Sequence, residues 1–302
     1  MPLDPTLQKL LDAMPAIDFD AVSLEELRHA NTANSLAQPR VVELPRIEDR
    51  LVDGVGVRIY WPQAEKAPLP VVVYYHGGGF FMGDLDTHDN LARTIAHQSG
   101  AVVVSVDYRL SPEHPYPAAA QDASTALRWT AAHARELGAD PDRIAVAGDS
   151  AGGNLAALAA LRARDTGGPA LRFQLMWYPC THIDPTLPSE TENADAPVLP
   201  RRAVELSVDW YLGGRDPKAC GAAPAYARSH AGLPPAYIAT VQGDAIRDEG
   251  VRYAGLLRAA DVPVEHHNHD DLVHGFCTLA PHVPAAARAL NDSLAALKAG
   301  LA

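Results

Sequence analysis

Residues 148–152 read Gly148-Asp149-Ser150-Ala151-Gly152, a G-x-S-x-G pattern between a short apolar run and an Ala/Leu-rich stretch. A strand that turns sharply into a helix leaves the middle side chain on an exposed, strained elbow. Glycines two residues either side let neighbouring backbone approach without a Cβ clash. Ser150 is therefore the candidate nucleophile. The N–H of Ala151, at the helix start, can stabilise a negative oxygen. His76-Gly77-Gly78-Gly79 follows a second apolar run, residues 71–75. Three glycines together cost backbone entropy and supply bare N–H groups, which suits the rest of an oxyanion hole. His76 reads as a residue that holds this loop by hydrogen bonds rather than as a base.

A serine hydroxyl needs a base, and the base needs an orienting carboxylate. The expected chain order is Ser…Asp/Glu…His, each on a loop after a late strand. Gly243-Asp244 follows the apolar run 237–241, and His274 follows the run 264–269. His274 is the candidate base. Asp244 is the candidate acid, at the carboxyl end of its strand where ligands gather in open α/β sheets. Asp248 is its rival and reads better as a helix N-cap. His266, His267 and His269 resemble a metal cluster, but His266 and His267 face opposite sides of a strand, so they read as surface histidines. In Asp107–Ala118, Arg109 and Glu113 read as a pair bracing the loop near the elbow.

These groups need elements to position them. Residues 71–75, 101–106, 144–147, 171–178, 237–241 and 264–269 read as strands. Stretches 88–99, 118–134, 151–163, 249–260 and 284–301 read as the helices between and after them. Such alternation predicts a mostly parallel sheet with helices on both faces. Ahead of it, residues 41–44 and 55–61 read as strands, with Asp53-Gly54 as a tight turn. The first forty residues read as amphipathic helices, with Asp4 before Pro5 as an N-cap. Residues 179–235 break the rhythm, with one helix at 201–212. One domain, 1–302, is expected, carrying cap elements at about 1–40 and 180–234.

The chain has 302 residues, with 25 Lys+Arg against 37 Asp+Glu and a formal net charge of −12. That balance argues against nucleic acid and against a surface held on anionic lipid. Cys180, Cys220 and Cys277 are few, odd in number and widely spaced, so free thiols in a reducing compartment are expected. The N-terminus lacks the basic start and apolar run of a signal peptide, and no stretch approaches the ~20 apolar residues of a membrane helix. A soluble cytoplasmic protein, a monomer or a homodimer, follows as the expectation.

In combination, the motifs resemble the hormone-sensitive-lipase-like α/β-hydrolases, the bacterial family IV carboxylesterases. The likeness rests on His76-Gly77-Gly78-Gly79-Phe80, Asp107-Tyr108-Arg109-Leu110-Ser111-Pro112-Glu113-His114-Pro115-Tyr116-Pro117-Ala118, Gly148-Asp149-Ser150-Ala151-Gly152-Gly153-Asn154, Asp244 to Gly250 and His274-Gly275-Phe276. Asp149 goes with the branch carrying Asp before the serine. The family often has Asp-Pro-Leu where Asp244-Ala245-Ile246 stands, and Ala where Ser111 stands. The resemblance implies an eight-stranded, mostly parallel sheet under a helical cap built from the N-terminus and an insertion. It implies Ser150 as nucleophile, Asp244 as triad acid, His274 as base, and the N–H groups of Gly78, Gly79 and Ala151 as oxyanion hole. Phe80, Phe81 and Met82, with Leu10, Leu11 and Met14 of the cap, are candidates to line the pocket. The expected activity is hydrolysis of short- to medium-chain carboxylic esters through an acyl-enzyme, with no metal or organic cofactor. An amidase or arylformamidase on the same fold, and a small-molecule receptor, are the alternatives.

Overall fold

The computed structural model describes residues 2–15, 17–63 and 68–302. Two N-terminal helices, α1 (Pro5–Asp12) and α2 (Leu24–Leu36), precede the sheet. The Asp4 side chain caps α1 by accepting from the N–H groups of Thr6 and Leu7, with Pro5 in the first turn. Ser23 and Glu26 form a reciprocal capping box at the start of α2.

Strands and helices then alternate: β1 (Arg46–Val52), β2 (Val55–Trp61), β3 (Leu69–Tyr75), α3 (Asp89–Ser99), β4 (Val102–Asp107), α4 (Ala118–His133), β5 (Ala139–Asp149), α5 (Ala151–Asp165) and β6 (Phe173–Trp177). The insertion follows, with α6 (Pro188–Glu192), α7 (Arg201–Leu212) and α8 (Pro217–Cys220). The chain closes with β7 (Ala236–Val241), α9 (Arg247–Ala259), β8 (Val264–His269), α10 (Phe276–Leu279) and α11 (Pro284–Gly300). Among the described residues, eight strands form one sheet in the order β1-β2-β4-β3-β5-β6-β7-β8. β1 and β2 are antiparallel to their neighbours, and β4 through β8 run parallel. This is the α/β-hydrolase arrangement the motifs imply.

Alternation along each strand divides the apolar interior in two. Val71, Val73 and Tyr75 of β3 join Leu155, Leu257 and Leu127 on one face. Val72 and Tyr74 join Leu7, Leu91, Leu290 and Leu294 on the other. Central strands buried on both faces read as continuous apolar runs, which is why β3 and β4 stand out in the sequence.

One strand differs from the reading. Residues 41–44 are not a strand, and β1 is Arg46–Val52 instead. An edge strand with one exposed side carries Arg46, Glu48, Asp49 and Arg50, so it lacks the apolar run that marks its neighbours. The turn itself stands as read: Asp53 at φ 50° and Gly54 at φ 86° meet the two positive φ values of a type I′ hairpin. No helix of the described residues is long and apolar enough to cross a membrane.

α1 is tied to the sheet through Leu7, its one fully buried residue. Leu7→Ala is expected to cost about 2–5 kcal/mol, read as a lowered urea midpoint. An unchanged midpoint would show that α1 docks independently of the core.

Candidate active site

Because β3, β5, β7 and β8 are parallel, the loops at their carboxyl ends gather at one edge of the sheet. At the end of β5 the chain turns through Ser150, whose φ of 54° and ψ of −117° lie in a region that non-glycine residues rarely occupy. Both flanking glycines are required by space. A Cβ on Gly148 would sit 2.2 Å from the Gly152 carbonyl oxygen, and one on Gly152 would sit 1.9 Å from the Tyr75 carbonyl oxygen.

His274 lies between the other two candidates. Its Nε2 is 2.9 Å from Ser150 Oγ, and its Nδ1 is 2.7 Å from Asp244 Oδ2. Asp244 is fully buried, and its second oxygen accepts the N–H of Ile246 at 3.0 Å. An ionised carboxylate only accepts, so Nδ1 carries the proton and Nε2 accepts from the serine hydroxyl. The ring of Tyr178, 4.6 Å from that of His274, covers the imidazole. Asp248, the rival acid, is not an N-cap. It stands in the first turn of α9, after Ile246 at the cap position, and accepts the N–H of Ser189 at 3.1 Å.

The glycine loop is a strained turn. Gly78, Gly79 and Phe80 all have positive φ, at 116°, 59° and 64°. The carbonyl of Gly78 accepts from the N–H groups of Phe81 and Met82. The N–H groups of Gly78, Gly79 and Ala151 have no acceptor among the described residues. His76 is buried, stacks on Tyr108 at 4.2 Å, and its Nδ1 lies 2.7 Å from the Gly77 carbonyl. It takes no part in the Ser150 contacts.

Asp149 joins the elbow to this loop, a role that its position beside Ser150 does not reveal. Its buried Oδ1 accepts from the Tyr74 hydroxyl at 2.6 Å and from the Gly77 N–H at 3.0 Å. Burial alone would raise its pKa, but His88, 3.8 Å from Oδ2, and the Tyr74 hydroxyl outweigh this and hold it below the usual carboxylate range.

Arg109 and Glu113 do not pair with each other. Arg109, at the end of β4, forks onto Asp122 of α4 at 2.8 Å, and Glu113 pairs with Arg28 of α2 at 2.7 Å. The six apolar candidates divide as well. Phe80 is 3% exposed because its ring stacks on Tyr211 of α7 at 3.6 Å, so it is core rather than open wall. Phe81 is equally buried and meets Trp210 edge-on at 4.9 Å, so it too is packed rather than open wall, and Met82 lies half-buried beside Gly78. Leu10 and Leu11 are half-buried against the apolar cluster around Leu7, and Met14 is 47% exposed. A groove of about 510 Å³ lined by Leu36, Val41, Asn90 and Thr278 includes none of the three triad candidates. Among the described residues, no cluster of His, Cys, Asp and Glu has the makings of a metal site.

The α/β-hydrolase-fold family matches residues 72–278, from β3 to α10. The chain belongs to that family. This hydrolase is 51% identical to the carboxylesterase NlhH of Mycobacterium tuberculosis, covering 99% of this chain and 96% of that protein. It is also 51% identical to esterase LipI of the same organism, over 98% and 94%. The esterase of Pyrobaculum calidifontis superposes with a TM-score of 0.92 at 36% identity, covering 99% of both chains. The resemblance carried by the motifs therefore holds along the whole chain, beyond the segment that contains them.

Buried titratable groups of the hydrolase set its expected pH dependence. Burial, near-complete for His76 and His182 and partial for His266, pushes the three imidazoles down to about 4. Burial raises Glu190 to about 8, helped by the Glu249 charge, and Glu249 to about 7 against the N–H groups of His182 and Thr181. Below the ordinary histidine value of 6.5, the unfolded chain binds protons that the three native imidazoles refuse, so stability falls toward pH 4. Above 4.5 the native chain keeps two carboxyl protons that the unfolded chain releases, so this contribution falls toward pH 8. His230 and His269 are lowered too and Asp107 is raised, so five imidazoles act against three carboxyls below 6.5, and the carboxyls dominate above it. Stability is expected to peak near pH 6.5, read as Tm across pH 5–9. Glu190→Gln should flatten the alkaline limb, and a Tm flat from 6.5 to 8 would show both carboxyls ionised in the native state.

Proposed function

We propose that this hydrolase is a serine carboxylesterase acting on short- to medium-chain esters through an acyl-enzyme. The observation that carries this reading is the single imidazole spanning Ser150 Oγ at 2.9 Å and Asp244 Oδ2 at 2.7 Å. In the first step Ser150 attacks the acyl carbonyl while His274 Nε2 takes its proton. Asp244 keeps the imidazole in the Nδ1–H tautomer and stabilises the imidazolium. The N–H groups of Gly78, Gly79 and Ala151 hold the oxyanion, and one such donor is typically worth about 10²–10³ in rate. His274 then gives its proton to the leaving alcohol, and the second step repeats the sequence with water as nucleophile.

The names of the relatives, esterase and carboxylesterase, support esters over amides. An intact Ser–His–Asp geometry supports catalysis over a receptor role. In this reading the N-terminal helices and the insertion form a cap on one domain. Met82, adjoining Gly78, borders the acyl site, and Phe80 and Phe81 brace the loop against α7. The seating of Ser207 and Trp210 of α7 on Gly79 and Phe81 supports a shallow acyl pocket. Free Cys180, Cys220 and Cys277 support a cytoplasmic, reducing location.

Hydrolysis of p-nitrophenyl esters from acetate to palmitate tests the proposal. Activity should peak at short chains, and Ser150→Ala or His274→Ala should cut kcat by about 10⁴–10⁶. Full activity in Ser150→Ala would end the assignment, and a peak at palmitate would end the shallow-pocket reading.

A further inference from the structure

The strained turn that presents Gly78 and Gly79 needs ties from outside itself. Phe80 O is held by the N–H and hydroxyl of Ser111, at 2.9 and 3.0 Å. Phe81 O is held by a residue 53 positions away, Arg28 of α2, whose Nε donates to it at 2.7 Å. The same guanidinium donates through Nη2 to Ser111 O at 3.0 Å, the residue that ties Phe80. It then grips both oxygens of Glu113, at 2.7 and 2.8 Å. One planar fork thus joins the glycine loop, the 111–113 loop and the N-terminal segment.

We infer that Arg28 is a positioning residue for ester hydrolysis, fixing the oxyanion loop through the Phe81 and Ser111 carbonyls. This rests on the serine-esterase reading above. Oxyanion donors act in the transition state only if they are oriented before charge develops, so a looser turn loses rate rather than substrate affinity. Glu113 takes the outer edge of the guanidinium and, as an acceptor, holds neither carbonyl itself. Their ion pair is partly exposed, 31% and 52% for the two side chains, and such pairs add little to stability. A lysine there would keep the charge opposite Glu113 but lacks the fork that reaches two carbonyls together.

The test compares Arg28→Lys, Arg28→Gln and Glu113→Gln with wild type on p-nitrophenyl butyrate, reading kcat, KM, the pH–rate profile and Tm. A misplaced catalytic group typically costs up to about 10²-fold. Both Arg28 variants are expected to lose about 10- to 100-fold in kcat, with KM within about threefold and the pH–rate profile unmoved. Arg28→Lys should keep a near wild-type Tm, which separates positioning from folding. Glu113→Gln leaves both carbonyl contacts and should keep kcat within about threefold of wild type. Unchanged kcat in Arg28→Gln overturns the inference, as does a raised KM at constant kcat, or an equal loss in Glu113→Gln. A wild type inactive on esters overturns the serine-esterase reading together with this one, whereas an active wild type with indifferent Arg28 variants overturns this one alone.

Discussion

The chain at Ser150 must turn from strand to helix within one residue, in a backbone region that costs roughly 1–3 kcal/mol. Such a conformation persists only where the surroundings over-determine it. Here the Ser150 N–H donates to Trp177 O, and Ser150 O accepts from the N–H groups of Asn154 and Cys180. Asn154, fully buried in α5, donates to Cys180 O and Ala222 O, so the segment after β6 is fastened to the same turn. The elbow therefore needs β3 and β6 on either side of β5, and a helix that approaches Tyr75 closely enough to exclude any side chain at 152.

From that requirement the rest of the site follows by topology. Parallel strands put the loops after β3, β5, β7 and β8 at one edge, where the glycine loop, Ser150, Asp244 and His274 meet across long sequence separations. Buried carboxylates do much of the joining. Asp149 links the elbow to the glycine loop, and Asp244 links the loop after β7 to His274. Each is nearly or fully buried yet accepts from two partners, the condition under which a buried charge is tolerable.

The sheet was legible because its central strands are buried on both faces, so β3 and β4 announce themselves as apolar runs. β1 was not, since an edge strand rich in Arg and Glu looks like a loop. The meeting of Ser150, His274 and Asp244 was legible for a related reason: elbow, glycine loop and late His each sit at a strand end, and local composition marks strand ends. Pairings were harder. Arg109 and Glu113 are close in sequence, but β4 points Arg109 at α4 while Glu113 faces α2, and local spacing carries no such directions. Phe80 likewise follows the glycines, yet the ring is claimed by Tyr211, 131 positions on, which no local pattern records.

Contacts of that long-range kind divide the two segments outside the sheet between the glycine loop and the loop of Asp244. The N-terminal segment reaches the donor loop through Arg28. The insertion reaches the acid loop: Ser189 Oγ donates to Ala245 O at 2.7 Å, Asn193 Nδ2 to Asp244 O at 3.0 Å, and Glu192 pairs with Arg247 at 2.8 Å. α7 meanwhile presses on Gly79 and Phe80 from the same insertion. A motion that lifted the whole insertion from the sheet would strip the backbone of Asp244 and Ala245 of these ties, and so loosen the carboxylate that orients His274. Movement of α1 or of the segment between α7 and β7 would leave them intact. The contacts that order the backbone at Asp244 thus come from α6 and the residue after it, through Ser189 and Asn193, with Glu192 holding Arg247 beside them.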